Sequence, residues 1–357
     1  MKIKPGKSIR VINRLDSKSG TRKKYYTMER NERVDEFLTR HIKEATSQIS
    51  SYDFRTYPNN NKIYNQLSKY LKINRNNILL TEGAEGGLLR FFNVFANPGD
   101  KVVYLDPSFG MYELYCEMFK LKKHPLKLQL DKKFSFFERL IDHLRKTKPK
   151  ILAIPNPNQP IETMINSKQL KYLCKLTNNM NIFLVLDEAY YYFNNISAQR
   201  FYKKFNNLLI VRSFSKAFGL AGLRIGYCVS NKKVIDSMKS IKPIYEINSV
   251  TMKLLSYFLK NHKIMEKNVS EVNKSRIYIK NYLKKLNIEV FGNYSNNVLI
   301  KLKNNSDAKS LEKKLYRKKF IVQRIEFNGK SNFLRCTMGS LKISKKFCRH
   351  VKNITKN

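Results

Sequence analysis

The chain has 357 residues, enough to bury a large core and to build two domains or one large domain with an appendage. Its hydrophobic fraction of 42%, with 22 Phe and 21 Tyr, excludes an intrinsically disordered chain. The formal net charge is +43, but the cations are spread along the whole chain among asparagines, which favours a solvated basic surface and argues against nucleic acid or an anionic membrane as a partner.

Short apolar runs alternate with segments of helical periodicity, a pattern typical of a mostly parallel sheet sandwiched between helices. We predict six buried strands, at residues 76–80, 101–105, 150–154, 182–186, 208–211 and 224–229. Between them, residues 136–144 and 167–176 each place their apolar side chains on one helical stripe. We therefore expect an α/β fold whose ligand site lies at the carboxyl ends of the strands.

The residues that follow the predicted strands offer different chemical groups. In chain order they are a glycine turn that opens a helix, an aromatic ring, a carboxamide, a carboxylate and a lysine, supplied by Gly83, Phe109, Gln159, Asp187 and Lys216. A desolvated lysine amine near another cation loses its proton more easily, and the neutral amine condenses with an aldehyde. This set of groups indicates the aldehyde cofactor pyridoxal 5′-phosphate.

The ring of this cofactor also needs an anion for its nitrogen, and its phosphate needs donors. Asp187 follows four aliphatic residues, where a carboxylate is costly unless a partner such as a protonated ring nitrogen meets it. The alternative for Asp187 is a cap on the next helix. Gly83, Ala84 and Glu85 open an apolar helix, whose first backbone N–H groups would bind an anion.

Six motifs, in this order, resemble those of the fold-type I pyridoxal-phosphate aminotransferases, and among these the histidinol-phosphate aminotransferase family. They are GAEGG, PSFGMY, NPNQP, DEAYYYF, SFSKAFGLAGLRIGY and FLRCTMG, spread over about residues 57 to 339. The resemblance implies the mostly parallel α/β sheet of that fold type with a smaller α+β domain, an aminotransferase activity and a homodimer.

The resemblance also implies a role for each matching residue at the cofactor. Lys216 would form the Schiff base with the cofactor and move the proton between the substrate α-carbon and the cofactor. Asp187 would pair with the ring nitrogen, and Tyr190 and the carboxamide of Gln159 would contact the phenolic oxygen of the ring. Phe109 would stack on the ring, although an ordinary core position is its alternative.

The resemblance assigns a further set of residues to phosphate and substrate. The phosphate would be bound by Ala84, Glu85, Ser213, Ser215 and Arg224, and by Tyr57 of the neighbouring subunit. Arg335 would bind the anionic group of the substrate, with Arg324 and Asn31 as further substrate-binding candidates. The alternatives are plain surface for Tyr57 and an internal ion pair for Arg335.

One segment departs from the family pattern. Residues 156–162 read NPNQPIE where the family has NPNNPTG. Gln159 offers the same donor group as asparagine on a side chain that is longer by one methylene. Ile161 and Glu162 replace Thr and Gly and alter the turn that follows. We expect the Gln159 contact to form with a changed loop geometry.

We expect an aminotransferase that moves an amino group from an amino acid donor, glutamate, to a keto or aldehyde acceptor. A related decarboxylase of a phosphorylated amino acid, such as threonine phosphate, uses the same lysine, aspartate and arginine and is one alternative. An aminotransferase of phosphonate, surface-sugar or cofactor biosynthesis is another. A basic protein that keeps the fold to bind nucleic acid is the alternative from outside enzymes.

We expect a large cofactor-binding domain at residues 50–245 and a smaller domain formed by residues 1–49 and 246–357. In the smaller domain, residues 296–302 and 332–338 are predicted strands.

The five cysteines are far apart, with no C-x-x-C pair, and the five histidines show no ligand spacing. We therefore expect neither disulfides nor a metal site. The longest aliphatic run, residues 182–186, is far too short to cross a bilayer, and no apolar signal region follows the basic first residues. We expect a cytoplasmic protein with no membrane association.

Overall fold

The structure is a computed structural model that describes residues 26–28, 38–129, 136–327 and 329–355. The helices of this part are α1 (Thr39–Thr46), α2 (Ser51–Arg55), α3 (Asn61–Leu71), α4 (Gly83–Phe95), α5 (Met111–Met118), α6 (Phe136–Thr147), α7 (Ser167–Asn179), α8 (Lys232–Lys239), α9 (Ser249–Lys260), α10 (Lys263–Lys284), α11 (Asn305–Arg317) and α12 (Leu341–Thr355). The strands are β1 (Tyr26–Thr27), β2 (Ile78–Thr81), β3 (Lys101–Asp106), β4 (Lys122–Lys127), β5 (Ile151–Pro155), β6 (Phe183–Asp187), β7 (Leu208–Ser213), β8 (Gly226–Val229), β9 (Glu289–Phe291), β10 (Asn297–Lys301), β11 (Phe320–Ile321), β12 (Gln323–Phe327) and β13 (Lys330–Thr337).

A seven-stranded sheet forms the centre, in the order β2-β8-β7-β6-β5-β3-β4. The pairs from β7 to β4 are parallel, whereas β8 is antiparallel to both of its neighbours. The six predicted strands all lie in this sheet, so the mostly parallel α/β fold is confirmed. The edge strand β4 was not predicted, because its sequence KKHPLK is polar and contains a proline, as edge strands often do.

Each strand of the sheet serves two cores, because successive side chains point to opposite faces. In β6, Leu184 and Leu186 lie in one core while Val185 lies in the other. Helices α3, α6 and α7 cover the first face, and α4, α5 and α8 cover the second. Burial on both faces explains why the strands are continuous apolar runs rather than alternating ones.

A second sheet, in the carboxyl-terminal part, is antiparallel in the order β12-β13-β10-β9. Its strands β10 and β13 correspond to the two strands predicted there, and they pair with Val298 opposite Cys336. A two-stranded parallel pair joins β1 to β11. Among the helices in the described residues, none combines the length and the apolar character that a membrane crossing requires.

Gly226 lies where three backbone segments approach one another closely. In β8 it pairs with Thr81 on one side and with Ser213 on the other. A Cβ at this position would lie 2.5 Å from the carbonyl oxygen of Arg212 and 2.6 Å from the carbonyl carbon of Gly83. Backbone cannot yield as a flexible side chain can, so only glycine fits.

Gly226→Ala is expected to lower the free energy of unfolding by about 2 to 3 kcal/mol, the cost of forcing a methyl group into a packed core. The shift of the urea unfolding midpoint measures this loss of stability. Gly222→Ala is the matched control, since a Cβ there meets nothing within 4 Å. Equal midpoints for the two variants would contradict the close-approach argument.

Candidate active site

A cavity of about 500 Å³ lies at the edge of the central sheet where the parallel strands end. The carboxyl-terminal sheet closes one side of it through Gln323, Ile325 and Arg335. The predicted site residues that line the cavity are Ala84, Glu85, Phe109, Gln159, Asp187, Tyr190, Ser213, Ser215, Lys216, Arg224 and Arg335. Residues far apart in the sequence therefore meet in one space.

Asp187 is the last residue of β6 and is 5% exposed. Its Oδ1 accepts a hydrogen bond of 3.0 Å from the backbone N–H of Ala189, and its Oδ2 accepts one of 3.2 Å from the hydroxyl of Tyr112. Burial raises the pKa of Asp187 to about 6. Ionising this carboxyl group is therefore costly until a cation meets it in the cavity.

Tyr112 is a site residue that the sequence analysis did not identify. It lies on α5, it is fully buried, and its ring meets that of Phe109 edge to face, with centroids 6.0 Å apart. The available signal was its position three residues after Phe109, at the start of the helix. Its contact with Asp187 spans 75 residues of sequence, and a pattern in one chain does not reveal such a contact.

Lys216 follows β7 and lines the same cavity as Asp187. Its positive charge lowers the pKa of Asp187, against the larger effect of burial. The neighbours Ala217 and Phe218 are each 1% exposed. The lysine is thus held at the cavity by a buried segment, unlike the many lysines on the surface.

The first turn of α4 faces the cavity through Ala84 and Glu85. Gly83 has a φ of +75°, and a Cβ there would lie 3.0 Å from Nη2 of Arg224. Glycine therefore lets the guanidinium group lie against the start of the helix. The free N–H groups of a helix start and a guanidinium group both favour a bound anion.

Two serines complete this anion-binding set. Nη1 of Arg224 lies 3.5 Å from Oγ of Ser215, and the backbone N–H of Ser215 donates to Oγ of Ser213 at 3.0 Å. Both serines are at most 5% exposed, although hydroxyl groups prefer water or a polar partner. Helix N–H groups, hydroxyl groups and a guanidinium group that converge in this way suit a phosphate group.

Gln159 reaches the cavity, but its amide group is bound within the protein. Its Nε2 donates to Oγ of Ser295 at 2.8 Å and to Oε1 of Glu162 at 3.3 Å. The side chain is 8% exposed. The departure at residues 156–162 therefore changes the hydrogen bonds of this carboxamide, and not only the path of the loop.

The structure brings Arg335 to the cavity but not Arg324. Gln323, directly opposite Arg335 in the sheet, and Ile325 line the cavity, so Arg324 between them points to the other face. There its Nε lies 3.3 Å from Oε2 of Glu312 on α11. Strand β12 was not predicted from the sequence, so the face that Arg324 occupies could not be assigned from it.

Tyr57 is not among the residues that line the cavity. Tyr57 is 79% exposed, and its ring stacks on that of Tyr245 with centroids 4.4 Å apart. It lines a second cavity of about 530 Å³, together with Arg75 and Lys239. Asn31 lies outside the described residues.

A buried ion pair is formed by residues next in sequence to cavity residues Asp187 and Ser213, and it was not predicted. Nη2 of Arg212 lies 2.9 Å from Oε2 of Glu188, and both side chains are at most 1% exposed. Arg212 also donates to Oγ of Ser197 at 2.7 Å, and its guanidinium carbon lies 3.6 Å from the ring centroid of Tyr191. The pair joins the ends of β6 and β7, where Asp187 and Ser213 are located.

Residues 24–351 match the model of the family "Aminotransferase class I and II". The histidinol-phosphate aminotransferase of Clostridium novyi is 30% identical over 308 residues, which cover 85% of this chain and 84% of the relative. The structure is similar to that of histidinol-phosphate aminotransferase from Sinorhizobium meliloti in complex with pyridoxal-5′-phosphate, with a TM-score of 0.82, 17% identity and coverage of 93% and 91%. It is also similar to L-threonine-O-3-phosphate decarboxylase from Porphyromonas gingivalis, with a TM-score of 0.78, 20% identity and coverage of 93% and 99%.

Proposed function

Because the chain belongs to the class I and II aminotransferase family, we propose that it exchanges an amino group between glutamate and a small phosphorylated acceptor, as a histidinol-phosphate aminotransferase does. Family membership makes the chain an enzyme that depends on pyridoxal 5′-phosphate. One observation supports the site assignment above all: Asp187, Lys216 and an anion-binding set line one cavity. The proposed acceptor is the one used by histidinol-phosphate aminotransferases, because a relative of that kind is 30% identical to this chain.

The residues present fit the cofactor. Asp187 is a buried carboxyl group whose raised pKa, caused by burial, favours a cationic partner such as a ring nitrogen. The start of α4, Ser213, Ser215 and Arg224 would hold the phosphate. Phe109 and Tyr190 would contact the ring. The cofactor, when bound, supplies an electron sink for the negative charge that develops at the substrate α-carbon.

The protein residues perform the remaining tasks in this proposal. The Nζ of Lys216 would take the proton from the substrate α-carbon and pass it on, because this amine lines the cavity on a buried segment. The hydroxyl group of Tyr112 donates a hydrogen bond to Asp187 and would stabilise its negative charge. Arg335 binds the carboxylate or phosphate of donor and acceptor in turn.

The activity has a direct test. The protein loaded with pyridoxal phosphate is expected to form glutamate from histidinol phosphate and 2-oxoglutarate, and Lys216→Ala is the inactive control. Glutamate formation from other amino compounds but not from histidinol phosphate would overturn the acceptor alone. The structural similarity to a threonine-phosphate decarboxylase points to one alternative activity, the decarboxylation of a phosphorylated amino acid. Carbon dioxide release from a phosphorylated amino acid, without glutamate, would decide for it.

We also propose a homodimer in which Tyr57 reaches the phosphate site of the neighbouring subunit. Tyr57 is 79% exposed and does not line the cavity of its own chain, and both observations support this assignment. Large apolar side chains around it are exposed as well: Tyr52, Phe54, Ile244 and Tyr245. A second copy of the chain would cover them.

Mixing two impaired variants checks the shared site. Tyr57→Ala and Lys216→Ala homodimers are each expected to have low activity, but a mixed dimer would contain one site with both native residues. Co-refolding the two is expected to restore up to about a quarter of native activity, since about half of the dimers are mixed and each has one native site. Activity that stays at the sum of the separate variants would contradict shared sites.

The location that we propose is the cytoplasm, a reducing compartment. All five cysteines lie within the described residues, and each is buried and unpaired. Burial raises the pKa of Cys116, Cys174 and Cys228 to about 12 each. These thiols stay protonated at neutral pH and are poor partners for disulfide exchange.

A further inference from the structure

Glu162 joins two parts of the chain that are distant in sequence. It follows β5 of the central sheet, and its carboxylate accepts from the turn between β9 and β10. The backbone N–H of Asn293 donates to its Oε2, and that of Tyr294 donates to its Oε1 at 3.1 Å. The hydroxyl group of Ser295 donates to Oε1 at 3.1 Å as well. One carboxylate therefore caps three successive residues.

The turn is bound from its other side by cations of α10. Nζ of Lys280 donates to the carbonyl oxygen of Gly292 at 3.1 Å, and Nη1 of Arg276 donates to that of Ser295. Ser295 is fully buried and Arg276 is 8% exposed. The turn thus has its carbonyl groups on cations and its N–H groups on Glu162, which fixes its position relative to the central sheet.

The same carboxylate determines how the amide of Gln159 is oriented. A carboxylate oxygen only accepts hydrogen bonds, so the group of Gln159 that faces Glu162 must be the NH₂ group. Its second N–H goes to Oγ of Ser295. Both donors of Gln159 are therefore used within the protein, and its carbonyl oxygen is the group left for other contacts.

We propose that Glu162 is a positioning residue, which ties the 293–295 turn to the cavity loop and holds the N–H groups of Gln159 away from the cofactor. This inference rests on the proposed function, because it concerns the phenolic oxygen of that cofactor. Donation to this oxygen then falls to Tyr190, which lines the same cavity. Gln159 and Glu162 act as a pair: the longer side chain reaches Ser295 and the carboxylate retains it there.

The first test needs no cofactor. In Glu162→Ala, the backbone amides of Asn293 and Tyr294 lose charge-assisted acceptors, and we expect them to exchange with deuterium at least about tenfold faster. Glu289→Ala is the control, since Glu289 is in the same sheet and forms an exposed ion pair with Lys301 at 2.9 Å. Unchanged exchange in Glu162→Ala would overturn the link. If that variant does not fold, Glu162→Asp, with its shorter reach, replaces it with the same expectation.

The second test measures the absorbance of the bound cofactor as a function of pH and gives the midpoint pH of that change. Tyr190→Phe is expected to raise this midpoint by about one pH unit or more, because the charged phenolic oxygen loses a hydrogen-bond donor. Gln159→Ala is expected to leave the midpoint unchanged. In a Glu162→Ala variant the Gln159 amide is no longer held by the carboxylate. In that variant, the additional change Gln159→Ala is expected to raise the midpoint pH.

Failure of the positioning role of Glu162 and failure of the proposed function give different results. A midpoint that Gln159→Ala raises in the otherwise native protein would overturn the positioning role, because Gln159 would then be a donor to the cofactor. A native protein without cofactor absorbance would overturn the proposed function instead, and the exchange experiment would still decide whether Glu162 holds the turn.

Discussion

Replacing Lys216 with alanine is expected to lower the transamination rate by at least about 10⁴-fold, since the variant lacks both the covalent attachment point and the base for the α-proton. It is also expected to abolish the attachment of pyridoxal phosphate that borohydride makes permanent. Mass spectrometry of the intact reduced protein measures the attachment, and glutamate formation measures the rate.

Lys168→Ala is the matched control for this variant, because Lys168 is an exposed lysine on α7. The chain has many such lysines, and a reagent that labelled them without selection would label the control and the variant equally. Cofactor that remains attached to Lys216→Ala after reduction would show that another residue carries it. The assignment of the whole cavity would then be wrong.

Replacing Asp187 with asparagine is expected to lower turnover by about 10²- to 10³-fold, the usual effect of removing one preorganised electrostatic contact. Asparagine can keep the hydrogen bonds to Ala189 and Tyr112, but it carries no charge to hold a proton on the ring nitrogen. Cofactor binding should persist, because the anion-binding set is intact. Full turnover in this variant would contradict the role of the carboxylate.

The same substitution changes how stability depends on pH in the cofactor-free protein. The folded pKa of Asp187 is about 6, above its ordinary value, because of burial. The folded state therefore binds the proton more tightly, and this contribution to stability is complete below about pH 4 and lost as the pH rises through 6. The loss amounts to about 3 kcal/mol.

Urea unfolding of the cofactor-free protein between pH 4 and 7 checks this sign. The native chain is expected to lose stability over that range relative to Asp187→Asn. Asp142→Asn serves as the control, because Asp142 is exposed on α6. If the difference between native and variant protein did not change with pH, the carboxyl group would not titrate in this range.

Much of the fold could be predicted because the central strands are buried on both faces. Their apolar runs stand out in the sequence, and the residues at their carboxyl ends led to Asp187 and Lys216, which line one cavity. The polar edge strand β4 lacked that signal. The domain boundaries at residues 50 and 245 stay a prediction.

The rest of the site depends on contacts between distant segments. Tyr112 meets Asp187, and Glu162 meets the turn at 293–295, across 75 and more than 130 residues. Neither contact has a period or spacing in the sequence. Arg324 was wrongly assigned to the cavity because its face of the strand could not be read from the sequence. A shift of one residue in register moves a side chain to the other face of a strand.

The antiparallel direction of β8 has a consequence for engineering. Ser213 at the end of β7 pairs with Gly226 at the start of β8, so the chain between them leaves the sheet and returns beside its own exit. Lys216 and Arg224 both belong to this excursion. The β7–β8 pairing sets the spacing of its two ends, but the segment also packs on distant residues, such as Asn268, which donates to the carbonyl oxygen of Ala217 at 2.6 Å. A transplant of residues 214–225 into a related scaffold is therefore expected to keep the two cations in place only if the host supplies these contacts as well.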